Sequence, residues 1–252
     1  MNLLKRVTVY HSIAIFLAVL TFVNSLKLGF NNTLPQIFIA VLTCSLLDLL
    51  VKRLRHNRWT FPLTAVITGF FIGTVLETNL KWYILIIAAV AAIASKHFIT
   101  FKHRPVFNPA NLGILFASVF FSTTYNWWAS TPLWLVVLFG SIITYQLRNY
   151  YLVISYLIAH IIFFGAYALI IKSPIIPQLF LINFFFVFFM LAEPKTSPIN
   201  LKGKVIFGVL VALFYLIFGI TVPEHNIILA LAVGNVCVPF INKFTVRISH
   251  ND

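Results

Sequence analysis

The chain consists of long apolar runs separated by short polar stretches. Ten runs can be distinguished, at about residues 8–26, 35–54, 61–76, 80–100, 107–122, 132–147, 150–171, 176–192, 203–221 and 225–242. A helix needs roughly 20 residues to cross a bilayer, and a shorter helix can cross when it packs inside a bundle. The pattern therefore predicts an all-α polytopic membrane protein with about ten transmembrane helices.

The ten runs divide into two sets of five, approximately residues 1–125 and 126–252 of a single transmembrane domain. Because five is an odd number, the two sets would cross the membrane in opposite directions, as an inverted repeat. Runs three and eight end near Glu77 and Glu193, and runs five and ten open at Asn108 and Asn226. We therefore expect two inverted five-helix repeats with interrupted helices, whose free N–H groups suit an anion or a polar ring system.

Composition supports a helical membrane protein. Hydrophobic residues make up 61% of the chain and charged residues 9%, whereas a soluble domain has about 25% charged residues. A soluble globule and a disordered chain are therefore excluded. The unbroken apolar runs also favour helices over a membrane β-barrel, because barrel strands alternate apolar and polar residues.

The charges predict an orientation. With the N-terminus in the cytoplasm, fifteen of the 18 Lys and Arg residues fall on the inner side, and Lys27, Lys81 and Lys172 fall outside. The inner set is Lys5, Arg6, Lys52, Arg53, Arg55, Arg58, Lys96, Lys102, Arg104, Arg148, Lys195, Lys202, Lys204, Lys243 and Arg247. This asymmetry predicts a multi-pass protein of the cell (inner) membrane with both termini cytoplasmic. The net charge of +13 then faces an anionic lipid bilayer, and nucleic acid is not an expected partner.

The tryptophans lie at predicted membrane boundaries. Trp82, Trp127, Trp128 and Trp134 fall at outer ends of runs, and Trp59 falls at an inner end. We expect them to form an aromatic belt at the membrane interfaces.

Two polar segments are candidates for binding chemistry. Glu193 closes an apolar run and precedes Pro194; it is either a helix-end carboxylate paired with Lys195 or another loop cation, or a ligand contact at a broken helix. Asn108 and Asn111 flank Pro109 and form either a plain helix start or a pair of amides facing a cofactor or a pore. Two amides supply the donors and acceptors that a flavin's pyrimidine edge requires.

Two further ionisable residues lie inside apolar runs. Asp48 precedes Lys52 by four residues, which predicts an ion pair along one helix face. His160 lies in the middle of a run without charged residues. It is either a neutral histidine bonded to a neighbouring helix or a proton or electron relay.

Five short motifs follow one another along the chain: Pro62–Gly69, Ala92–Lys96, Phe107–Gly113, Phe189–Pro198 and Lys202–Gly208. Their order and spacing resemble the NqrB/RnfD family of membrane subunits over roughly residues 35–242. In that family a Thr-Gly helix precedes a Lys-containing helix end, a Phe-Asn-Pro-Ala corner and a proline-rich loop that leads to Lys-Gly.

The resemblance implies an electron-transfer subunit of an Rnf or sodium-pumping NADH:quinone reductase complex, with other subunits as partners. It implies flavin, as FMN on a threonine of a Ser-Gly-Ala-Thr loop or as free flavin among the helices. Thr131 occupies the threonine position, preceded by Trp-Ala-Ser, and Glu193 replaces the family's Asp. Asn108, Asn111, Glu193, Thr196 and Thr131 are therefore the candidate cofactor-binding residues, with Na⁺ and H⁺ both open as coupling ions.

Two other functions fit the same pattern. Interrupted helices also occur in channels and transporters for small solutes or ions, which have no redox role. An assembly scaffold that has lost its cofactor is the third alternative.

Overall fold

The computed structural model describes residues 3–57 and 59–248, without the side chains of residues 3–8, 56 and 246–248. Both chain ends, whose cytoplasmic location is predicted above, lie outside the described residues. The same holds for Arg58 and for the side chains of Lys5, Arg6 and Arg247 in the predicted inner set.

The described residues form ten α-helices. These are α1 (Leu3–Leu28), α2 (Phe30–His56), α3 (Leu63–Val75), α4 (Trp82–Phe98), α5 (Pro109–Phe121), α6 (Leu133–Leu147), α7 (Tyr150–Ile170), α8 (Ile175–Leu179), α9 (Leu201–Thr221) and α10 (Asn226–Ile248). A short antiparallel hairpin of β1 (Thr100–Phe101) and β2 (Arg104–Pro105) follows α4. The remaining helical pieces are the 3₁₀ turns Trp128–Ser130 and Pro223–His225 and the π-helix Phe186–Leu191.

The eighth apolar run, residues 176–192, is predicted to form one helix, but in the structure it does not. It contains the five-residue α8 and, after a break, the π-helix Phe186–Leu191. Pro177 lies in the first turn of α8, where a proline is tolerated, but the helix cannot extend from there toward the N-terminus because the proline ring would meet the carbonyl of residue i−4. The next helical stretch starts anew because Asn183 accepts a hydrogen bond from the Phe186 N–H through its side chain (3.0 Å).

Length and hydropathy identify the membrane-crossing helices. Five segments are long and apolar enough to cross a bilayer: Val9–Leu28, Phe30–Arg55, Tyr150–Ile170, Leu201–Thr221 and Pro223–Thr245. Four apolar helices, α3 to α6, are shorter. The 13 residues of α3 and of α5 rise by about 20 Å, less than the roughly 30 Å of a hydrocarbon core. The prediction of an all-α polytopic membrane protein is confirmed.

The chain divides into two compact units, Met1–Phe139 and Gly140–Asp252. In the first unit α2 packs on α3 and α4, and α4 packs on α5. The contact of α2 with α3 is close because Gly69 faces backbone: a Cβ there would lie 2.7 Å from the Val41 nitrogen. The glycine of the Thr-Gly motif in run three is thus needed for the close packing of α3 on α2.

In the second unit α9 is central and packs on α7 and α10. Gly208 permits the contact with α7, since a Cβ would lie 2.6 Å from the Leu152 carbonyl oxygen and would also meet Ser155 Oγ. The same packing order occurs in both units when the interrupted run eight is counted as one helix. The second helix packs on the fourth and the fourth on the fifth, as α2, α4 and α5 in the first unit and as α7, α9 and α10 in the second. The inverted repeat with its boundary near residue 125 stays a prediction.

Candidate cofactor-binding sites

The first predicted site lies at the start of α5. Asn108 is the N-cap residue, and its Oδ1 accepts a hydrogen bond from the Asn111 N–H at 3.2 Å. Pro109 occupies the first helical position, where its missing N–H costs nothing. Both amides are buried, with 1% exposure for Asn108 and none for Asn111. The structure therefore confirms the helix start and also places two amide side chains in the interior.

The other end of α5 is fixed to the end of α3. Ser118 Oγ and the Tyr125 hydroxyl share a hydrogen bond of 2.5 Å, and Tyr125 bridges to Leu76 through the backbone. Burial raises the pKa of Tyr125 to about 12, although the bond from Ser118 opposes this shift. Tyr125 therefore stays protonated at neutral pH, and its neutral hydroxyl helps to hold the loop after α5 in place.

Thr131, the predicted attachment site of FMN, contacts the end of α1. Its side chain is exposed, and its hydroxyl donates to Asn24 Oδ1 at 2.5 Å. The Asn24 amide in turn donates to the Thr131 carbonyl oxygen. Asn24 is buried and is a partner of Thr131 that the sequence analysis missed; the signal was an amide inside an apolar run.

The carbonyl end of α3 accepts hydrogen bonds from two buried donors. Gln36 Nε2 and Trp128 Nε1 each donate to the Gly73 carbonyl oxygen at 2.8 Å. Trp128 is 5% exposed, so its predicted place in an interfacial belt is wrong. Its indole N–H satisfies a helix-end carbonyl instead. Trp59, Trp82 and Trp134 are exposed, as a belt requires.

The second predicted site is the segment Glu193–Pro198, which follows the π-helix. Glu193 is half-buried and begins a turn, with its N–H directed to the Met190 carbonyl oxygen (3.4 Å). Thr196 and Ser197 are buried. Within the part of the chain that the structure describes, Ser197 Oγ has no hydrogen-bond partner.

Three asparagines from other parts of the second unit position this segment and the two residues that flank it. Asn149 Nδ2 donates to the Ala192 carbonyl oxygen (2.7 Å) and Asn235 Nδ2 to that of Thr196 (3.1 Å). Asn242 Oδ1 accepts from the Ile199 N–H (3.0 Å). The segment is thus an irregular stretch of backbone supported by side-chain amides of α10 and of the residue before α7, and sequence reasoning did not identify these amides.

The structure brings the predicted residues together in three groups. Asn108 and Asn111 share one helix start, Glu193 and Thr196 share one turn segment, and Thr131 is joined to Asn24. In the first unit the 13 residues of α5 separate Asn108 from the loop that leads to Thr131.

Comparison with known proteins supplies the family. The sequence model of the NQR2, RnfD, RnfE family matches residues 2–133 and 133–250. The chain belongs to this family.

Relatives include the RnfD protein of the ion-translocating oxidoreductase complex from Haemophilus influenzae strains PittEE and ATCC 51907 / DSM 11121 / KW20 / Rd. Each is 41% identical over 59 residues, which cover 23% of this chain and 16% of the relative. The matched segment therefore spans about one sixth of the length of these relatives.

Asp48, which lies outside the family motifs, forms a charged cluster in the first unit that includes Lys96 at the end of the motif Ala92–Lys96. Its buried carboxylate contacts Lys52 Nζ at 2.7 Å, Lys96 Nζ at 2.8 Å and His97 Nε2 at 2.7 Å. Lys96 also donates to Thr64 Oγ1 at 2.8 Å. The predicted pair with Lys52 is confirmed, and the cluster joins α2, α3 and α4 at one end.

His160 has a different environment in the second unit. Its ring is fully buried and stacks on Phe164 (centroids 4.1 Å apart) and Tyr215 (5.7 Å). Neither ring nitrogen has a partner among the described residues at full hydrogen-bond geometry, and the backbone of Leu179 in α8 is a polar group that acts on the ring. Aromatic rings surround the side chain, and both interpretations of His160, a neutral histidine bonded to a neighbouring helix and a proton or electron relay, stay predictions.

Proposed function

We propose that this member of the NQR2, RnfD, RnfE family is a flavin-binding membrane subunit of an ion-translocating oxidoreductase complex of the Rnf or Nqr kind. The single observation that carries the proposal is the irregular backbone of Glu193–Pro198, a family-motif segment at a broken helix in which Thr196, Ser197 and Pro198 are buried. Irregular backbone of this kind is tolerated at membrane depth where it is buried in protein or lines a site.

The groups of this segment fit a flavin. Ser197 Oγ is buried and unsatisfied within the described residues, and a buried polar group without a partner is costly. A hydroxyl can donate to, or accept from, the edge of an isoalloxazine ring. Thr196 and Glu193 lie one and four residues before Ser197 in the chain. In the other unit, Asn108 and Asn111 offer buried amides, which can also donate and accept hydrogen bonds. A bound flavin would supply the one- and two-electron chemistry.

Covalent FMN on Thr131 is a separate part of the proposal. The exposure of the Thr131 side chain supports it, since a phosphoester requires access. Asn24 Oδ1 accepts a hydrogen bond from the Thr131 hydroxyl and so acts as a positioning residue. The Trp-Ala-Ser residues before Thr131 replace the usual Ser-Gly-Ala, so attachment here needs a route that tolerates this change.

The proposed setting is the inner membrane, with both termini in the cytoplasm and other subunits of the complex as partners. The concentration of fifteen cations on alternate loops supports this orientation. Electrons would pass across or within the membrane, and the transfer could drive Na⁺ or H⁺ transport through the complex.

Flavin occupancy tests the proposal. The full chain would be purified in mild detergent from membranes that contain its partner subunits, and flavin released by acid would be quantified per chain. We expect Glu193→Gln combined with Thr196→Val to lower the flavin content at least severalfold. Glu224→Gln is the matched control, because Glu224 is an exposed acid of the same unit, and it should leave the content unchanged.

A colourless wild-type protein would reject the proposal and favour the transporter interpretation. The interrupted helices suit that role as well. Solute or ion uptake by proteoliposomes that contain the flavin-free chain would then establish it.

A further inference from the structure

A basic surface with exposed aromatic rings lies at the ends of α2 and α4 in the first unit. Its cations are Arg53, Arg55 and Lys102, and its rings are Trp59, Phe98 and Phe101; we refer to these six residues as the α2–α4 basic surface. All six side chains are exposed. The hairpin β1–β2, which carries Phe101 and Lys102 at its turn, packs on α4.

Each cation of this surface lies over one ring. The Arg55 Cζ is 5.0 Å from the centre of the Phe98 ring, and Arg53 Cζ is 5.7 Å from that of Trp59. Lys102 Nζ is 5.7 Å from the Phe101 ring centre. Such contacts are favourable and restrict the long side chains, so less conformational entropy is lost when an anion binds.

The cations keep hydrogen-bond donors for a ligand. Arg55 Nη1 donates to the His97 carbonyl oxygen at 2.9 Å, and Arg53 Nη1 donates to Asn57 Oδ1. A guanidinium has five N–H donors in a planar fork, and this geometry suits phosphate. One internal bond therefore orients each arginine and leaves most of its donors available.

No carboxylate within the described residues neutralises Arg53, Arg55 or Lys102. The nearest acid along α2 is Asp48, which is buried and already contacts Lys52 and Lys96. The other described acid of the unit is Glu77, which bonds Thr124 beyond the opposite end of α3. The surface thus has a positive charge excess that only an external anion can balance.

The exposed rings identify the kind of anion. Trp59 and Phe98 are 69% and 65% exposed, and Leu54 near the end of α2 is 76% exposed. Rings at the ends of membrane helices lie at the boundary between acyl chains and headgroups, which is where lipid phosphates are found. A soluble anion would gain nothing from these apolar groups.

We propose that the α2–α4 basic surface binds the phosphate headgroup of an anionic phospholipid. The arginine forks and Lys102 contact the phosphate, and the rings pack against the glycerol and upper acyl chain. The site is independent of flavin and of the proposed electron transfer.

Lipid retention tests this inference on the full purified chain. The protein would be exchanged into mixed micelles of phosphatidylglycerol and phosphatidylcholine, and bound lipids would be counted by native mass spectrometry. Each basic residue near an anionic headgroup contributes roughly a fivefold gain in affinity. The triple variant Arg53→Gln, Arg55→Gln, Lys102→Gln should therefore lose roughly a hundredfold in phosphatidylglycerol affinity.

The matched control removes the same charge elsewhere. The variant Lys27→Gln, Lys81→Gln, Lys172→Gln alters the three cations of the predicted outer side and should keep the wild-type preference for phosphatidylglycerol. Equal retention of both lipids by the wild type would overturn the proposal, as would an unchanged preference in the first variant. Displacement of the lipid by inorganic phosphate alone, or by an acidic protein, would also overturn it. Size-exclusion profiles confirm that both variants are folded.

Discussion

Asp48 in the first unit and His160 in the second are both fully buried in membrane helices, yet their surroundings differ completely. Asp48 contacts two lysines and a histidine from α2 and α4. His160 has no hydrogen bond to the residues described and lies among Phe164, Tyr215 and Tyr156. Ion pairs therefore hold the helices together around Asp48 in the first unit, and packed rings surround His160 in the second.

This difference follows from the chemistry of the two side chains. A carboxylate is charged at neutral pH, and its burial is tolerated only with cations at contact distance. An imidazole can lose its charge and then packs as a flat, weakly polar ring. The two buried residues should therefore respond in opposite ways to apolar replacement, and the predictions below begin with the largest effect.

Replacement of Asp48 should destabilise the protein most. The Asp48→Leu variant leaves Lys96, only 11% exposed, without its counter-ion, and such a loss costs about 3–5 kcal/mol in free energy of unfolding. Unfolding in mixed detergent micelles measures the change. Glu224→Leu removes an exposed acid and should cost less than about 0.5 kcal/mol. Equal stability of the two variants would contradict the charged cluster.

The second-largest effect is expected at two side-chain amides that donate to backbone carbonyl oxygens, Asn149 in the second unit and Gln36 in the first. Asn149→Leu leaves the Ala192 carbonyl oxygen without its side-chain donor (2.7 Å), at a cost of about 1–3 kcal/mol. Gln36→Leu should cost only about 1 kcal/mol, because Trp128 still donates to the Gly73 carbonyl oxygen. The same unfolding assay compares the two variants. A larger loss for Gln36→Leu would reverse the comparison.

Substitutions in the packed face of α9 should change the free energy of unfolding by a similar or smaller amount. A Cβ at Gly208 would meet the Leu152 carbonyl oxygen, whereas nothing lies within 4 Å of a Cβ at Gly219. Gly208→Ala should therefore destabilise by about 1–3 kcal/mol. Gly219→Ala should be neutral or stabilise by up to about 1 kcal/mol, because alanine favours helix. Thermal denaturation of both variants tests the α7–α9 contact, and equal midpoints would argue against it.

The smallest effect is expected at His160. Since its ring nitrogens make no hydrogen bond to described residues, His160→Phe should change the free energy of unfolding by less than about 1 kcal/mol, of either sign. A loss of unfolding free energy as large as that of Asp48→Leu would show that His160 binds a polar partner, and would support the interpretation of His160 as a relay. A size-exclusion profile equal to that of the wild type serves as the folding control.

The sequence predicted the helices well because bilayer-crossing helices need long apolar runs, which are visible directly. It also predicted the contact of Asp48 with Lys52, because four residues are about one helical turn. It did not predict Lys96 and His97 at the same carboxylate, since that contact depends on how α2 packs against α4. The break in run eight was missed because the π-helix has the same apolar composition as an α-helix.

The sequence identified the residues of the candidate site but not the hydrogen-bond partners that hold them in place. Asn108, Asn111, Glu193 and Thr196 stand out as polar groups within or beside apolar runs. Their supporting partners come from distant positions, as with Asn24 and Thr131, 107 residues apart, or Asn235 and Thr196. No local pattern reports such pairs. The belt prediction for Trp128 was wrong because the indole N–H was needed by a buried carbonyl.

The flavin content of the wild-type chain tests the central claim most directly. The protein would be purified gently from membranes with its partner subunits, and its visible spectrum would be combined with an intact-mass measurement. The proposed function predicts at least one flavin per chain. A mass increment equal to FMN less the one water lost in the phosphoester, which disappears in Thr131→Val and persists in Thr124→Val, would assign the covalent site. A chain of unmodified mass with no flavin absorbance, in an assembled complex, would contradict the account.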